Sequence, residues 1–139
     1  MKILCWKDCV DSFSARKINP NTEQSNSLIK TAKGRIEYLK KQAITPESSN
    51  YIFEGYYSSI VEIIHAIALK KGYKINNHLC LGFLLKEKLK YKELFEIFDD
   101  LRFKRNALLY YGNPMNFEIA KDSIKKSKKL IKELLKITC

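Results

Sequence analysis

The residues best suited to chemistry lie in one short stretch, RFKRNALLYYGNP, which spans residues 102–114. Asn106 follows Arg105 directly, and Tyr110 and Tyr111 come about one helical turn later. A guanidinium is permanently charged and binds phosphate or carboxylate groups through a rigid set of N–H donors. Amide and phenol groups can add hydrogen bonds to the same anion. The stretch therefore indicates anion recognition centred on Arg105.

Arg105 is unusual because of where a helix would place it. The periodicity predicts a helix over 91–109, and at about 100° per residue its apolar residues fall on one narrow stripe. Arg105 lies within this stripe, while Arg102, Asn106 and Tyr110 lie along its edge. The stripe itself consists of Leu94, Phe98, Leu101 and Leu108. A guanidinium cannot stay unpaired on a buried face without a large cost. Arg105 must therefore pair with a carboxylate, bind helix-end carbonyls, or face a cleft.

Composition limits the class of protein. The chain has 139 residues, of which 45% are hydrophobic, and this length and composition predict a single folded domain over 1–139. Its 26 Lys and Arg residues outweigh 15 acidic residues, giving a formal charge of +11. This excess favours an anionic partner such as nucleic acid, although a surface coated with solvated lysines would give the same count.

The elements expected to position Arg105 are helices. Apolar periodicity predicts a short N-terminal helix and turn over 1–20, with Pro20 ending it, and a helical bundle over 21–137. Thr22 is a candidate cap for the first long helix, and YKINN reads as a linker. The predicted bundle helices span 22–43, 47–71, 78–86 as a short helix or ordered loop, 91–109 and 116–137. Short connections predict an all-α, up-and-down antiparallel bundle of five to six helices without a sheet. We expect 47–71 and 91–109 to form its core pair.

Cysteine and histidine residues give no metal motif. Cys5, Cys9, Cys80 and Cys139 lack paired spacing, and His78 near Cys80 has no second ligand pair, so we expect free thiols and no metal. No apolar run reaches the length of a membrane span, and no secretory signal core is present. The sequence therefore predicts a cytoplasmic protein that needs no cofactor and no membrane.

Three segments together resemble the HEPN domain family, which is helical and associated with nucleic acids. DLRFKRNALLYYG resembles the family signature R-x4-6-H, in which a polar residue often follows the arginine. ARKINPNTEQSNSLIKTAKGRIEYL resembles the start of archaeal members, and EGYYSSIVEIIHAIALKKGYK resembles their tyrosine-rich central helix. The resemblance covers most of residues 10–137. It implies a HEPN-like bundle of the archaeal type, with an R-N-x3-Y-Y-G variant of the motif.

The resemblance also implies site residues. Arg105, Asn106 and Tyr110 take the catalytic positions, and Arg102, Lys104, Arg105 and Tyr111 are candidates for contacting nucleic acid. In family members that are ribonucleases, no metal is needed: a histidine exchanges protons with the ribose 2′-hydroxyl or the leaving oxygen while the arginine stabilises the phosphate. Here Tyr110 occupies the histidine position. A phenol, with a reference pKa of about 10, is a poorer base at neutral pH than an imidazole at about 6.5.

Several functions remain open at this point. The preferred one is binding of RNA or a nucleotide through a cleft around Arg105, and a role as half of a toxin–antitoxin or nucleotidyltransferase pair is compatible with it. The alternatives are an active metal-independent endoribonuclease that uses Tyr110, and a non-catalytic structural bundle. In family members modified by a partner nucleotidyltransferase the target is a tyrosine, but the matching position here is Gly112, beside Tyr111. The family also implies a homodimer whose arginine-bearing helices meet. His65 and His78 are expected at solvent-exposed or interface positions.

Overall fold

The computed structural model describes residues 2–138, which form a helical bundle with a small two-stranded sheet. Six α-helices account for most of the chain, in agreement with the expected five to six. The elements are α1 (Trp6–Asp11), β1 (Ala15–Lys17), α2 (Thr22–Lys40), α3 (Ser49–Lys71), β2 (Tyr73–Ile75), α4 (His78–Phe83), a π-helical segment (Leu84–Lys88), α5 (Lys92–Tyr111) and α6 (Phe117–Ile137).

The core of the bundle is built around α3. Its predicted apolar face is buried, but so are residues on neighbouring faces, including Tyr57 and Ser59. The expectation that α3 and α5 form the core pair is wrong, because α3 packs mainly between α2 and α6. α5 contacts α3 less extensively, and one of these contacts is the Phe98 ring, which stacks on Tyr57. Contact with four other helices, α2, α4, α5 and α6, explains why α3 is apolar on more than one side.

The length and composition of α3 would also allow it to cross a membrane. Within the fold, however, 67% of its most apolar window is buried against other parts of the protein. The core helix of a soluble protein passes the same test of length and composition, so this property of α3 is weak evidence for a membrane span.

The expectation of a bundle without a sheet is wrong, because two short strands pair, and these strands also correct the interpretation of two segments. β1 pairs antiparallel with β2, with Ala15 opposite Ile75 and Lys17 opposite Tyr73. Residues 15–17 were expected to continue the first helix, which instead ends at Asp11, and residues 73–75 were expected to be part of a linker. Ala15 and Ile75 are buried, so the ribbon closes one end of the core.

Several helices begin or end at residue types that favour helix ends. Gly72 and Gly112 adopt the left-handed conformation that ends α3 and α5, as the sequence predicts. At Gly72 an added Cβ would also lie 2.9 Å from the backbone oxygen of Ile18, so a larger residue does not fit. The cap of α2 is Asn21 rather than Thr22, and its side chain accepts a hydrogen bond from the Gln24 amide.

The connection between α5 and α6 is held against α3 by one asparagine. The Asn50 side chain donates a hydrogen bond to the Met115 carbonyl at 3.0 Å and accepts one from the Met115 amide at 2.9 Å. This paired interaction fixes the loop that follows the Arg105 helix.

A disulfide joins Cys9 of α1 to Cys80 of α4, which contradicts the expectation of free thiols. Their Cα atoms are 5.9 Å apart, and both residues are fully buried. Cys5 remains a free, half-buried thiol. Cys139, also expected to be free, lies outside the described residues. The spacing of 71 residues between Cys9 and Cys80 gives no local signal, and the pairing arises only when α1 packs on α4.

Reducing this disulfide should destabilise the protein. Because the bond closes a loop of about 70 residues, the chain-entropy model gives about 4 kcal/mol of stabilisation. We expect urea denaturation of the reduced protein, or of Cys80→Ser, to show a lower free energy of unfolding by about that amount. Cys5→Ser is the matched control and should unfold like the unmodified protein. An unchanged urea midpoint after complete reduction would contradict the prediction.

Candidate nucleic-acid interface

Arg105 lines a polar surface groove of about 480 Å³ between α5 and the start of α4. α5 contributes four of the lining residues. Their spacing of i, i+3, i+4 and i+8 places them on one face of the helix. The other wall is the segment that leads into α4. The lining residues are Asn76, Asn77, His78, Leu79, Arg102, Arg105, Asn106 and Tyr110. Two of these described residues are arginines and none is acidic, so the groove suits an anion.

Two tyrosine rings position the Arg105 guanidinium. Its carbon Cζ lies 5.5 Å from the ring centroid of Tyr57 and 5.7 Å from that of Tyr110. Cation–π contacts of this kind orient a guanidinium without using its N–H donors. Within residues 2–138, Arg105 makes no ion pair and no side-chain hydrogen bond. The Arg105 side chain therefore faces the groove. Among the described residues it does not pair with a carboxylate, which was one of the arrangements considered from the sequence.

Tyr57 connects the arginine to a histidine. The Tyr57 hydroxyl and His78 Nδ1 are 3.0 Å apart, and the two rings are tilted neighbours with centroids 5.7 Å apart. The Tyr57 ring also stacks on Phe98, with ring centroids 5.9 Å apart. Burial raises the pKa of Tyr57, opposed by the charges of Arg105 and Arg102, so the phenol stays protonated and neutral. Tyr57 thus positions both the Arg105 guanidinium and the His78 ring in the groove.

The His78 ring is neutral at pH 7. Burial, with a smaller effect from the positive charges of Arg105, His65 and Arg102, lowers its pKa to about 4. Its Nδ1 is engaged with Tyr57, which leaves Nε2 as the ring nitrogen that can meet a ligand. A bound phosphate would oppose the effect of the arginines and raise the pKa again.

Protein stability should therefore depend on the protonation of His78. The unfolded chain binds a proton at a pKa of about 6.5, whereas folded His78 binds it only near 4, so stability should fall as the pH drops through this window. Because the ring is half-exposed, we expect its contribution between about pH 7 and about pH 5 to be only on the order of 1 kcal/mol. Urea denaturation at both pH values should show a smaller decrease for His78→Gln than for the unmodified protein. An equal decrease would show that His78 is not held neutral by the fold.

The structure brings together most of the residues predicted from the sequence. Arg102, Arg105, Asn106 and Tyr110 all line the groove. Arg102 is partly neutralised by Asp99, since its Nη2 lies 2.9 Å from a carboxylate oxygen of that residue. Lys104 and Tyr111 do not line the groove, although both were candidates for contacting nucleic acid. Lys104 instead forms an ion pair with Asp100 at 2.8 Å, and Tyr111 is exposed next to Gly112.

The local motif did not show that Tyr57 and His78 belong to this site. His78 lies 27 residues before Arg105, and Tyr57 lies one helix further back. Asn77 reaches the groove because it caps α4, where its side chain accepts a hydrogen bond from the Cys80 amide. An asparagine directly before a short apolar run is the signal from which this cap could have been found.

His65 was expected at a solvent-exposed or interface position. It is half-buried, burial lowers its pKa, and it is close enough to His78 for the two charges to interact. Glu62, the preceding polar residue on the same helix, forms an ion pair with Arg35 of α2. This polar side of α3 therefore has a structural role, and His65 is not a lining residue of the Arg105 groove.

No group of three or more His, Cys, Asp or Glu side chains among residues 2–138 could hold a metal ion. Comparison of the chain with protein-family models, with curated proteins and with solved structures gives no match.

Proposed function

We propose that this protein binds single-stranded RNA, or a nucleotide from it, through the groove around Arg105. The observation that carries the proposal is that Arg105 lies in a polar groove, between two tyrosine rings, with no carboxylate partner in the described chain. A guanidinium with unused donors is suited to binding a phosphate oxygen. The formal charge of +11 favours approach of a polyanion.

Other groove residues favour a nucleotide over a simple anion. Tyr110 is 68% exposed, so one side of its ring is available for stacking against an unpaired base. Asn76, Asn77 and Asn106 supply amide groups, which can hydrogen-bond to base edges or to the ribose. Charge, a stacking surface and amides in one groove support recognition of unpaired nucleotides. With the helical bundle, they also support the HEPN-like assignment.

Side-chain amide signals provide a direct test. Titration with a short single-stranded RNA should shift the NMR resonances of the side-chain amides of Asn76, Asn77 and Asn106. Asn26, an exposed asparagine on α2 outside this groove, is the matched control and should not move. Shifts at Asn26 without shifts at Asn106 would place any RNA contact elsewhere.

Metal-independent RNA cleavage is the second candidate, and His78 is the observation that favours it. The imidazole lies in the same groove as Arg105 and is neutral at pH 7. In the tautomer whose Nδ1–H donates to the Tyr57 hydroxyl oxygen, the Nε2 lone pair would accept the proton of a ribose 2′-hydroxyl. The deprotonated oxygen would attack the neighbouring phosphorus and displace the 5′-oxygen, which would take up a proton from water as it leaves. Cleavage lost in His78→Gln but kept in Tyr110→Phe would support this assignment. Cleavage lost in Tyr110→Phe but kept in His78→Gln would instead assign the proton transfer to Tyr110.

We also propose a homodimer formed through the C-terminal part of α5. Phe103 is 71% exposed, and Tyr110 and Tyr111 are exposed near it on the same helix. Exposed aromatic clusters of this kind are typical of interfaces. Two copies that meet here would bring their Arg105 grooves close together. Light scattering should show a dimer that Phe103→Glu dissociates, and a monomer at high concentration would remove the basis for a shared site.

We also propose that a partner nucleotidyltransferase modifies a tyrosine of α5. The hydroxyl-bearing side chains of Tyr110 and Tyr111 are exposed on α5 and accessible to a second protein. Nucleotide addition to either one would place negative charge beside Arg105 and compete with RNA for it.

A further inference from the structure

A second groove, separate from the one at Arg105, lies between α2 and α6. Both helices pack on α3 but leave a space of about 540 Å³ between them. A neighbouring cavity of about 720 Å³ shares Lys33 with it and continues toward the C-terminal ends of α3 and α6. The combined space is elongated and follows the helix direction.

The base of this groove is apolar. Ile36 of α2, Ile131 of α6 and Tyr56 of α3 line it, and all three are buried. An apolar surface of this size suits the body of a small amphiphilic ligand.

The rim is cationic. Lys33, Lys40, Lys128 and Lys132 line it, with Glu37 as the only acid among the lining residues. Glu37 is already paired with Lys40 at 3.1 Å, whereas Lys33, Lys128 and Lys132 form no ion pair within residues 2–138. The net charge of the rim therefore favours an anionic group.

Tyr56 places a hydrogen-bond donor at the bottom of the groove. The residue is only 1% exposed, yet its hydroxyl makes no hydrogen bond within the described chain. Burial raises the pKa of Tyr56, so the hydroxyl keeps its proton and can donate it. The Nζ atom of Lys128 lies 5.7 Å from the centre of the same ring. Every fully buried side-chain N or O atom in the described chain has a hydrogen-bond partner, so the small exposed part of Tyr56 must include this hydroxyl. An accessible donor without a protein acceptor, beside a cation, is a position at which a ligand oxygen would be stabilised.

We propose that this groove binds a free long-chain carboxylate. The carboxylate group accepts a hydrogen bond from Tyr56 and is flanked by Lys128 and Lys40. The chain lies against Ile36 and Ile131 and extends toward Lys33. A single hydroxyl donor with flanking lysines matches one carboxylate, and the elongated space matches an unbranched chain better than a compact ring.

Calorimetric titration with dodecanoate, below the concentration at which it forms micelles, tests the proposal. We expect saturable binding, and we expect Lys128→Glu to weaken it at least about tenfold through repulsion of the carboxylate. Lys125→Glu makes the same charge change on the same helix outside the groove and should alter affinity less than about twofold. Tyr56→Phe, which removes only the hydroxyl, should weaken binding about tenfold while the thermal melt stays nearly unchanged.

Four results would overturn the proposal. The first is no saturable binding of dodecanoate up to about 1 mM. The second is equal loss of affinity in Lys125→Glu and Lys128→Glu, which would indicate nonspecific attraction to the lysine-rich surface. The third is equally tight binding of dodecanol, which lacks the charge. The fourth is binding only to anionic phospholipid vesicles. None of these results bears on RNA binding at the Arg105 groove, which shares no lining residue with this one.

Discussion

Replacing Phe98 with alanine should lower the free energy of unfolding by about 3–5 kcal/mol. The ring is fully buried on α5, stacks on Tyr57 and lies 3.4 Å from the position that a Cβ at Gly82 would occupy. Its removal would leave a cavity where α3, α4 and α5 meet, and close packing on all sides leaves little room for collapse. Urea denaturation should show a lower midpoint with little change in slope.

Tyr51→Ala is the control for this substitution. It removes an aromatic ring from α3, outside the proposed dimer interface and at a position that is 76% exposed, so we expect its effect on the free energy of unfolding to stay within about 0.5 kcal/mol. Equal losses for the two variants, or a loss below about 1 kcal/mol for Phe98→Ala, would mean that α5 does not pack on α3 and α4 as described.

The arrangement of α5 could be predicted largely from periodicity. Phe98 and Leu101 are fully buried, as their position on the apolar stripe predicts, and Arg105 is half-buried within the same stripe. The edge formed by Arg102, Asn106 and Tyr110 does line a groove. These features depend only on helix geometry and on the cost of burying a charge, both of which can be assessed from local sequence.

The features that could not be predicted depend on contacts between distant parts of the chain. β1 and β2 are three residues each, too short for an alternating pattern, and their pairing joins segments on either side of α2 and α3. The disulfide between Cys9 and Cys80 has the same origin. His78 enters the site only because α4 packs beside α5, and α3 packs mainly against α2 and α6 because its apolar surface extends beyond one face.

Replacing Arg105 with alanine should abolish most RNA binding while leaving the fold intact. The guanidinium has no ion-pair partner among residues 2–138, so its removal strands no buried carboxylate. The loss consists mainly of its two cation–π contacts with Tyr57 and Tyr110, and we expect a stability change of about 1 kcal/mol. A loss of about 3–5 kcal/mol would instead indicate a buried charge left without its partner.

The effect of this substitution on affinity should be much larger than its effect on stability. Arg105 is the one groove arginine without a carboxylate partner, whereas Arg102 is paired with Asp99. Loss of such a central charged contact should weaken RNA binding at least about 30-fold, which corresponds to about 2 kcal/mol. Arg105→Lys keeps the charge but loses the planar group that stacks between the rings, and should fall between alanine and the unmodified protein.

The central claim is tested most directly by measuring the RNA affinity of Arg105→Ala beside that of Arg16→Ala at one fixed salt concentration. Arg16 is an exposed arginine on β1, so its removal makes the same change in net charge away from the groove. Fluorescence anisotropy with a labelled single-stranded RNA should show a loss of at least about 30-fold for Arg105→Ala and less than about threefold for Arg16→Ala. Equal affinities for the two variants would contradict the assignment of Arg105 as the centre of the RNA-binding groove.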